Sequence, residues 1–232
     1  EVIILSVSAD DDVLEVVGAL VTSLWPGAVV IDTSTDSRET ARAAAAQVAA
    51  AGGNFLDAPV SGGVEGARQG TLAMMVGGDA AVLARVQPVL EAVAARITHM
   101  GPVGAGQATK AVNQIMAAGI NQAVTEALAF AAACELPMDS LITALSGGAA
   151  GNWFLSHRGP TMVRGEYPLG FKVALHQKDL GICADMAAGF GVRLPVVEMT
   201  RHHYSRLMDE DHGDEDISAL YRIKRPLFGD EV

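Results

Sequence analysis

The chain changes its periodicity once, and that change constrains its fold more than any other feature. Over the first hundred residues, short apolar runs rich in β-branched side chains alternate with helical patterns; from Gly104 onward only helical patterns remain. Residues 2–7 read as a strand. Asp10, Asp11 and Asp12 then offer caps for a helix through Val13, Val16, Val17 and Leu20, which Trp25-Pro-Gly27 stops. Further strands are expected at 28–31, 55–58, 72–76 and around 97–100, with helices at 37–51 and 80–95 between them. Strand and helix in alternation imply an α/β fold, a parallel sheet with helices on its faces, which binds ligands at the carboxyl ends of its strands. Those ends are Val7-Ser8, Thr33-Ser-Thr35 and Ser61-Gly-Gly63. The second half is expected to be all-helical, with segments at 110–133, 138–146, 150–163, 174–189 and 195–208 and a last helix starting near Asp216. This divides the chain into domains 1–103 and 104–232, with Lys110 close to the boundary.

Composition narrows the function. A net charge of −11 and a pI near 4.9 argue against nucleic acid or an anionic membrane as partner, because either would be repelled. Cys134 and Cys183 show neither CxxC spacing nor a neighbouring histidine cluster, so no disulfide framework or metal site is signalled, and a reducing cytoplasm is expected. No wholly apolar run of roughly 18 residues is evident, and residues 1–5 are too short for a signal peptide. His202-His203 point to different sides of a helix and read as exposed polar residues. Arg158 and Arg164 read as surface charge, and the acidic run 209–216 as a solvated loop.

Three features suggest chemistry on a small anionic substrate. Lys110 opens a long apolar helical pattern, where desolvation would favour proton transfer. Ser61-Gly-Gly63 combines a hydroxyl with backbone N–H groups suited to a carboxylate. A second lysine lies in His176-Gln-Lys-Asp-Leu180. The Gly-x-Gly-x-x-Gly turn that normally opens a dinucleotide-binding sheet does not occur, and residues 1–5 look like an internal strand, so the sheet is expected to lack its first two βα units.

Four ordered segments carry a resemblance: Leu56-Asp-Ala-Pro-Val-Ser-Gly-Gly63, Gly70-Thr-Leu-Ala-Met-Met-Val-Gly-Gly78, Gly104-x-Gly-x-x-x-Lys110-x-x-Asn113 and Lys178-Asp-Leu180. In this order they resemble the β-hydroxyacid dehydrogenase family. The resemblance implies an incomplete Rossmann-type sheet domain followed by a 6-phosphogluconate dehydrogenase-like helical domain. It implies hydride transfer between NAD or NADP and a short β-hydroxy acid or its semialdehyde, of the 3-hydroxyisobutyrate or 2-hydroxy-3-oxopropionate type. Lys110 corresponds to the catalytic lysine, Ser61, Gly62 and Gly63 to the carboxylate loop, Asn113 to a polar residue one turn further, and Phe171 to an aromatic wall of the cleft. Val7, Ser8, Thr35 and Lys178 correspond to positions beside the cofactor, and Gln114 receives no role. Asp179 is expected to orient the motif of Lys178, and Gly151-Asn-Trp-Phe154 to shape substrate choice. A homodimer or homotetramer built through the helical domain is also implied. The rival readings are an imine reductase-like enzyme, which Lys110 disfavours, and a non-catalytic oligomerising remnant.

Overall fold

The computed structural model describes residues 1–229, and the chain divides into two compact units, Glu1–Asn113 and Gln114–Val232. The first unit runs β1 (Val2–Leu5), α1 (Asp10–Leu20), β2 (Val29–Asp32), α2 (Arg38–Ala50), β3 (Asn54–Asp57), β4 (Val60–Ser61), α3 (Gly63–Gln69), β5 (Leu72–Gly77), α4 (Ala80–Leu90) and β6 (Ala94–Gly101), before α5 (Ala105–Ala133) begins. Strand order is β1-β2-β3-β5-β4, with β6 also on β5.

Strands β1, β2 and β3 are parallel as expected, but β5 runs antiparallel to both β3 and β4. A parallel return needs a crossover of a dozen or more residues. The segment between β4 and β5 is shorter than that and is mostly occupied by α3, so the chain turns back instead. Strand β6 then pairs parallel to β5 after crossing through α4.

Alternation along the strands builds two cores. Val29, Ile31 and Leu56 face one way and pack with Met74, Val76, Leu83, Val86 and Leu90. Val30 and Phe55 face the other way and pack with Val13, Val17, Ala41, Ala44 and Val48 of α1 and α2. A sheet covered on both faces explains why its strands read as continuous apolar runs.

The predicted caps at Asp10, Asp11 and Asp12 need correction. The cap position of α1 is Ala9, and the three carboxylates occupy the first turn, where the helix dipole favours them. Asp10 instead serves α2: its Oδ1 accepts hydrogen bonds from Ser37 N at 2.9 Å and Thr40 Oγ1 at 2.6 Å.

The second unit contains the rest of α5, then α6 (Met138–Ser146), α7 (Trp153–Met162), α8 (Val173–Ala188), α9 (Pro195–Asp209), a 3-10 turn at Ile217–Leu220, α10 (Tyr221–Lys224) and a 3-10 turn at Arg225–Phe228. Met162, Leu180, Leu207 and Leu220 are fully buried here, each contributing about 1.5–3 kcal/mol. By length and composition alone α5 is apolar enough to cross a membrane, against the reading of the sequence. Its Asn121, Gln122 and Thr125 are nevertheless buried and hydrogen-bonded within this unit, as in a core helix. Asn121 Nδ2 donates to Tyr204 Oη and Ile217 O, and Tyr204 Oη lies 3.0 Å from His176 Nδ1.

Candidate active site

The first unit builds its candidate site outward from Asp57, the buried last residue of β3. Asp57 Oδ1 accepts from Gly104 N at 2.7 Å and Oδ2 from Gln107 N at 3.0 Å, so the carboxylate caps α5 across the unit. Burial raises its pKa, and the backbone N–H groups of Gly104 and Gln107 oppose that rise. Gly106 permits the approach: a Cβ there would lie 2.4 Å from Met75 O and 2.6 Å from Asp57 O. Gln107 adds a second tie, donating from Nε2 to Ser34 O at 2.9 Å and accepting from Asp36 N at 3.3 Å. The first turn of α5 is thereby fixed to the ends of β2 and β3.

Lys110 follows on this anchored helix. Only 8% exposed, it donates from Nζ to Val60 O at 2.9 Å. Val60 precedes Ser61 directly, so the ammonium is held beside the Ser61-Gly62-Gly63 loop. Gly62 and Gly63 have φ of 133° and 61°, a turn that L side chains rarely adopt, and this turn delivers the chain into α3. Ser61 is half-buried, Gly62 and Gly63 are exposed, and Asn113 is half-buried on α5.

A polar shelf lies at the ends of β1 and β2. Val7 N donates to Ser34 Oγ at 2.9 Å and Thr33 Oγ1 to Leu5 O at 2.6 Å. Val7 and Thr35 are half-buried on it and Ser8 is exposed. A nicotinamide cofactor can be tested against this shelf. Helix α1 opens on three carboxylates, and α2 opens on Ser37 with Glu39 in its first turn, so neither helix start suits a pyrophosphate. The hydroxyls and backbone groups suit the uncharged ribose and the cationic nicotinamide, so the described residues fit that end of the cofactor.

In the second unit Phe171 is half-buried, its ring 5.2 Å from that of His176. Lys178 Nζ lies 3.0 Å from Asp179 Oδ1, and Gln114 Nε2 donates to Asp179 Oδ2 at 2.6 Å. Gln114, given no role by sequence, is thus the buried partner of the Lys-Asp-Leu motif. Its position four residues after Lys110 was the available signal. Asp57 and Gln107 were also missed as site builders, because their partners are remote in sequence.

Three surface assignments change. Arg158 is buried, with Nε 3.4 Å from Asp216 Oδ1, because a neutralising carboxylate accompanies it. Asp216, the last residue of the acidic run, is buried too, whereas Asp211 and Asp214 are exposed. His203 is half-buried beside Gln122, and burial lowers its pKa to about 4, while His202 is exposed as expected. Arg164 pairs with Glu166 on the surface.

Residues 1–101 match the family model described as the NAD binding domain of 6-phosphogluconate dehydrogenase. Residues 104–224 match the model described as NAD-binding of NADP-dependent 3-hydroxyisobutyrate dehydrogenase. The chain is 41% identical over 194 residues to 2-hydroxy-3-oxopropionate reductase of Escherichia coli, covering 84% of this chain and 66% of that protein. It is 39% identical over 208 residues to a probable 3-hydroxyisobutyrate dehydrogenase of Mycobacterium tuberculosis, covering 86% and 70%. A solved structure of Mycobacterium tuberculosis 3-hydroxyisobutyrate dehydrogenase with L-serine superimposes with a TM-score of 0.87 at 34% identity, covering 97% of this chain and 79% of that one.

Proposed function

Because the chain belongs to the β-hydroxyacid dehydrogenase family, we propose that it moves hydride reversibly between NAD or NADP and a short β-hydroxy acid or its semialdehyde, with Lys110 as the proton-transfer residue. The 3-hydroxyisobutyrate and 2-hydroxy-3-oxopropionate types are the substrates its relatives' names suggest. The observation that carries the reading is the buried Lys110 ammonium, 2.9 Å from Val60 O and next to the Ser61–Gly63 turn.

Ser61 and the backbone of Gly62 and Gly63 would take the substrate carboxylate, and Asn113 would steady its oxygen-bearing carbon. Lys110 Nζ would give its proton to the carbonyl oxygen in reduction, and as the neutral amine take the hydroxyl proton in oxidation. Val7, Ser8 and Thr35 would border the nicotinamide and its ribose, and Lys178, held against Asp179, would contact the cofactor from the helical unit. When bound, the nicotinamide supplies or accepts the hydride. Phe171 would wall the substrate's carbon chain. The reading also places the enzyme in the cytoplasm as a homodimer or homotetramer. Support for assembly comes from Val112, Met116 and Phe130, large apolar side chains exposed on α5.

Turnover on 3-hydroxyisobutyrate, 2-hydroxy-3-oxopropionate and succinic semialdehyde, with NAD and NADP in turn, tests the proposal. Lys110→Ala is expected to lower kcat by about 10²–10⁴, the usual contribution of a positioned acid–base group, with thermal stability retained. A variant as active as the parent would remove Lys110 from the chemistry.

A further inference from the structure

The acidic run ends in a buried carboxylate with more partners than a loop requires. Asp216 is 1% exposed. Its Oδ2 accepts from Gly170 N at 3.0 Å and from Phe171 N at 2.9 Å. Its Oδ1 accepts from Ser218 N at 3.1 Å and Ser218 Oγ at 2.7 Å, and lies 3.4 Å from Arg158 Nε. The carbonyl of Phe171 accepts from Ile217 N at 2.9 Å. Both backbone polar groups of Phe171 therefore end on two consecutive residues.

The same strap starts α8. Lys172 provides no side-chain cap, and the first N–H groups of the helix go to the strap instead: Val173 N to Glu215 O and Ala174 N to Gly213 O, each at 3.0 Å. Arg158 closes the arrangement from the other side. Its guanidinium fills the space over Gly170, where a Cβ would lie 2.0 Å from Nη2, and its Cζ is 5.2 Å from the Trp153 ring centroid. One cation thus sits between the Trp153 ring and the Gly170 backbone, neutralised by the carboxylate that holds Phe171.

We infer that Asp216 and Arg158 are positioning residues that together set where Phe171 stands, and so the fit of the substrate's carbon chain; this rests on the reading that Phe171 walls the substrate site. Neither residue touches substrate. Asp216 acts through the Gly170 and Phe171 amides, and Arg158 through Gly170 and the Asp216 charge. Removing that charge would take from the buried cation its ion pair with Asp216 and weaken two amide bonds together.

The test compares the parent with Asp216→Asn and Gly170→Ala. The first keeps the side-chain shape without the charge; the second keeps both charges, and its added Cβ displaces the guanidinium most, at 2.0 Å from Arg158 Nη2, and presses on Asp216 Oδ2 at 3.2 Å. Amide hydrogen exchange over residues 170–174 is expected to rise about tenfold in Asp216→Asn, the size of one lost charge-assisted hydrogen bond. KM for the hydroxy acid is expected to rise about fivefold in both variants with kcat nearly unchanged. A merely destabilised enzyme would instead lose active fraction, and hence kcat, at constant KM. Unchanged exchange in Asp216→Asn would overturn the clamp, and raised exchange with unchanged KM would overturn its link to substrate. Should Asp216→Asn fail to fold, an unchanged KM in Gly170→Ala sinks that link. If the parent does not turn over hydroxy acids, the proposed function and this substrate role fail together, while the exchange measurement still decides the clamp.

Discussion

Asp36 is a carboxyl group kept from water and from donors. It is 1% exposed, and neither oxygen meets a hydrogen-bond donor among the described residues. Burial, followed by the neighbouring Asp32 carboxylate, pushes its pKa from 3.8 up to about 10. The folded chain therefore holds a proton at neutral pH that the unfolded chain has released. Between about pH 4 and pH 10 the native state binds more protons, so this group's contribution makes stability fall as pH rises. Asp36→Asn removes the titration while keeping size and polarity. Its melting temperature is expected to exceed the parent's at pH 8, with the gap closing towards pH 4; a gap independent of pH would show that Asp36 is already ionised in the native protein. None of this was legible locally, since Thr33-Ser-Thr35 reads only as the polar end of a strand, and Gln107, which accepts from Asp36 N, lies far along the chain. Lys110 was legible because its glycines and its helix lie on either side of it in sequence.

At the level of elements, the start of α5 shows how much depends on one missing side chain. Gly106 faces backbone carbonyls of β3 and β5, which cannot rotate away as a side chain could. Gly106→Ala is expected to cost about 1–3 kcal/mol by overpacking, read as a lower urea midpoint at unchanged slope. A stability equal to the parent's would mean that α5 shifts freely at this point. Periodicity located α6 at its observed limits and α2, α7, α8 and α9 within three residues, but it carried α4 to residue 95 where the helix ends at Leu90, and began α5 at Lys110 where the helix begins at Ala105. It missed α3, a seven-residue helix containing Gly63 and Gly66, whose composition argues against helix and whose start depends on the turn at Gly62. The antiparallel direction of β5 was equally hidden, because alternation along a strand carries no record of the direction of its neighbours.

For the whole molecule, the single change of period near Gly104 conveyed the succession of a sheet and a helical bundle. Periodicity was silent on the surface that assembly would use. Exposed Val112, Met116 and Phe130 predict self-association, so sedimentation should report more than one copy, and Met116→Lys should shift the distribution towards the monomer. A parent that sediments as a monomer at every concentration tested would remove that expectation. The distribution of sulfur has a further experimental use. Cys134 is exposed and Cys183, on α8, is 2% exposed; both belong to the second unit, and the sequence has no other cysteine. A thiol reagent therefore consumes one equivalent at once and a second only when the helical unit opens, so its slow phase times the breathing of that unit while remaining blind to the sheet.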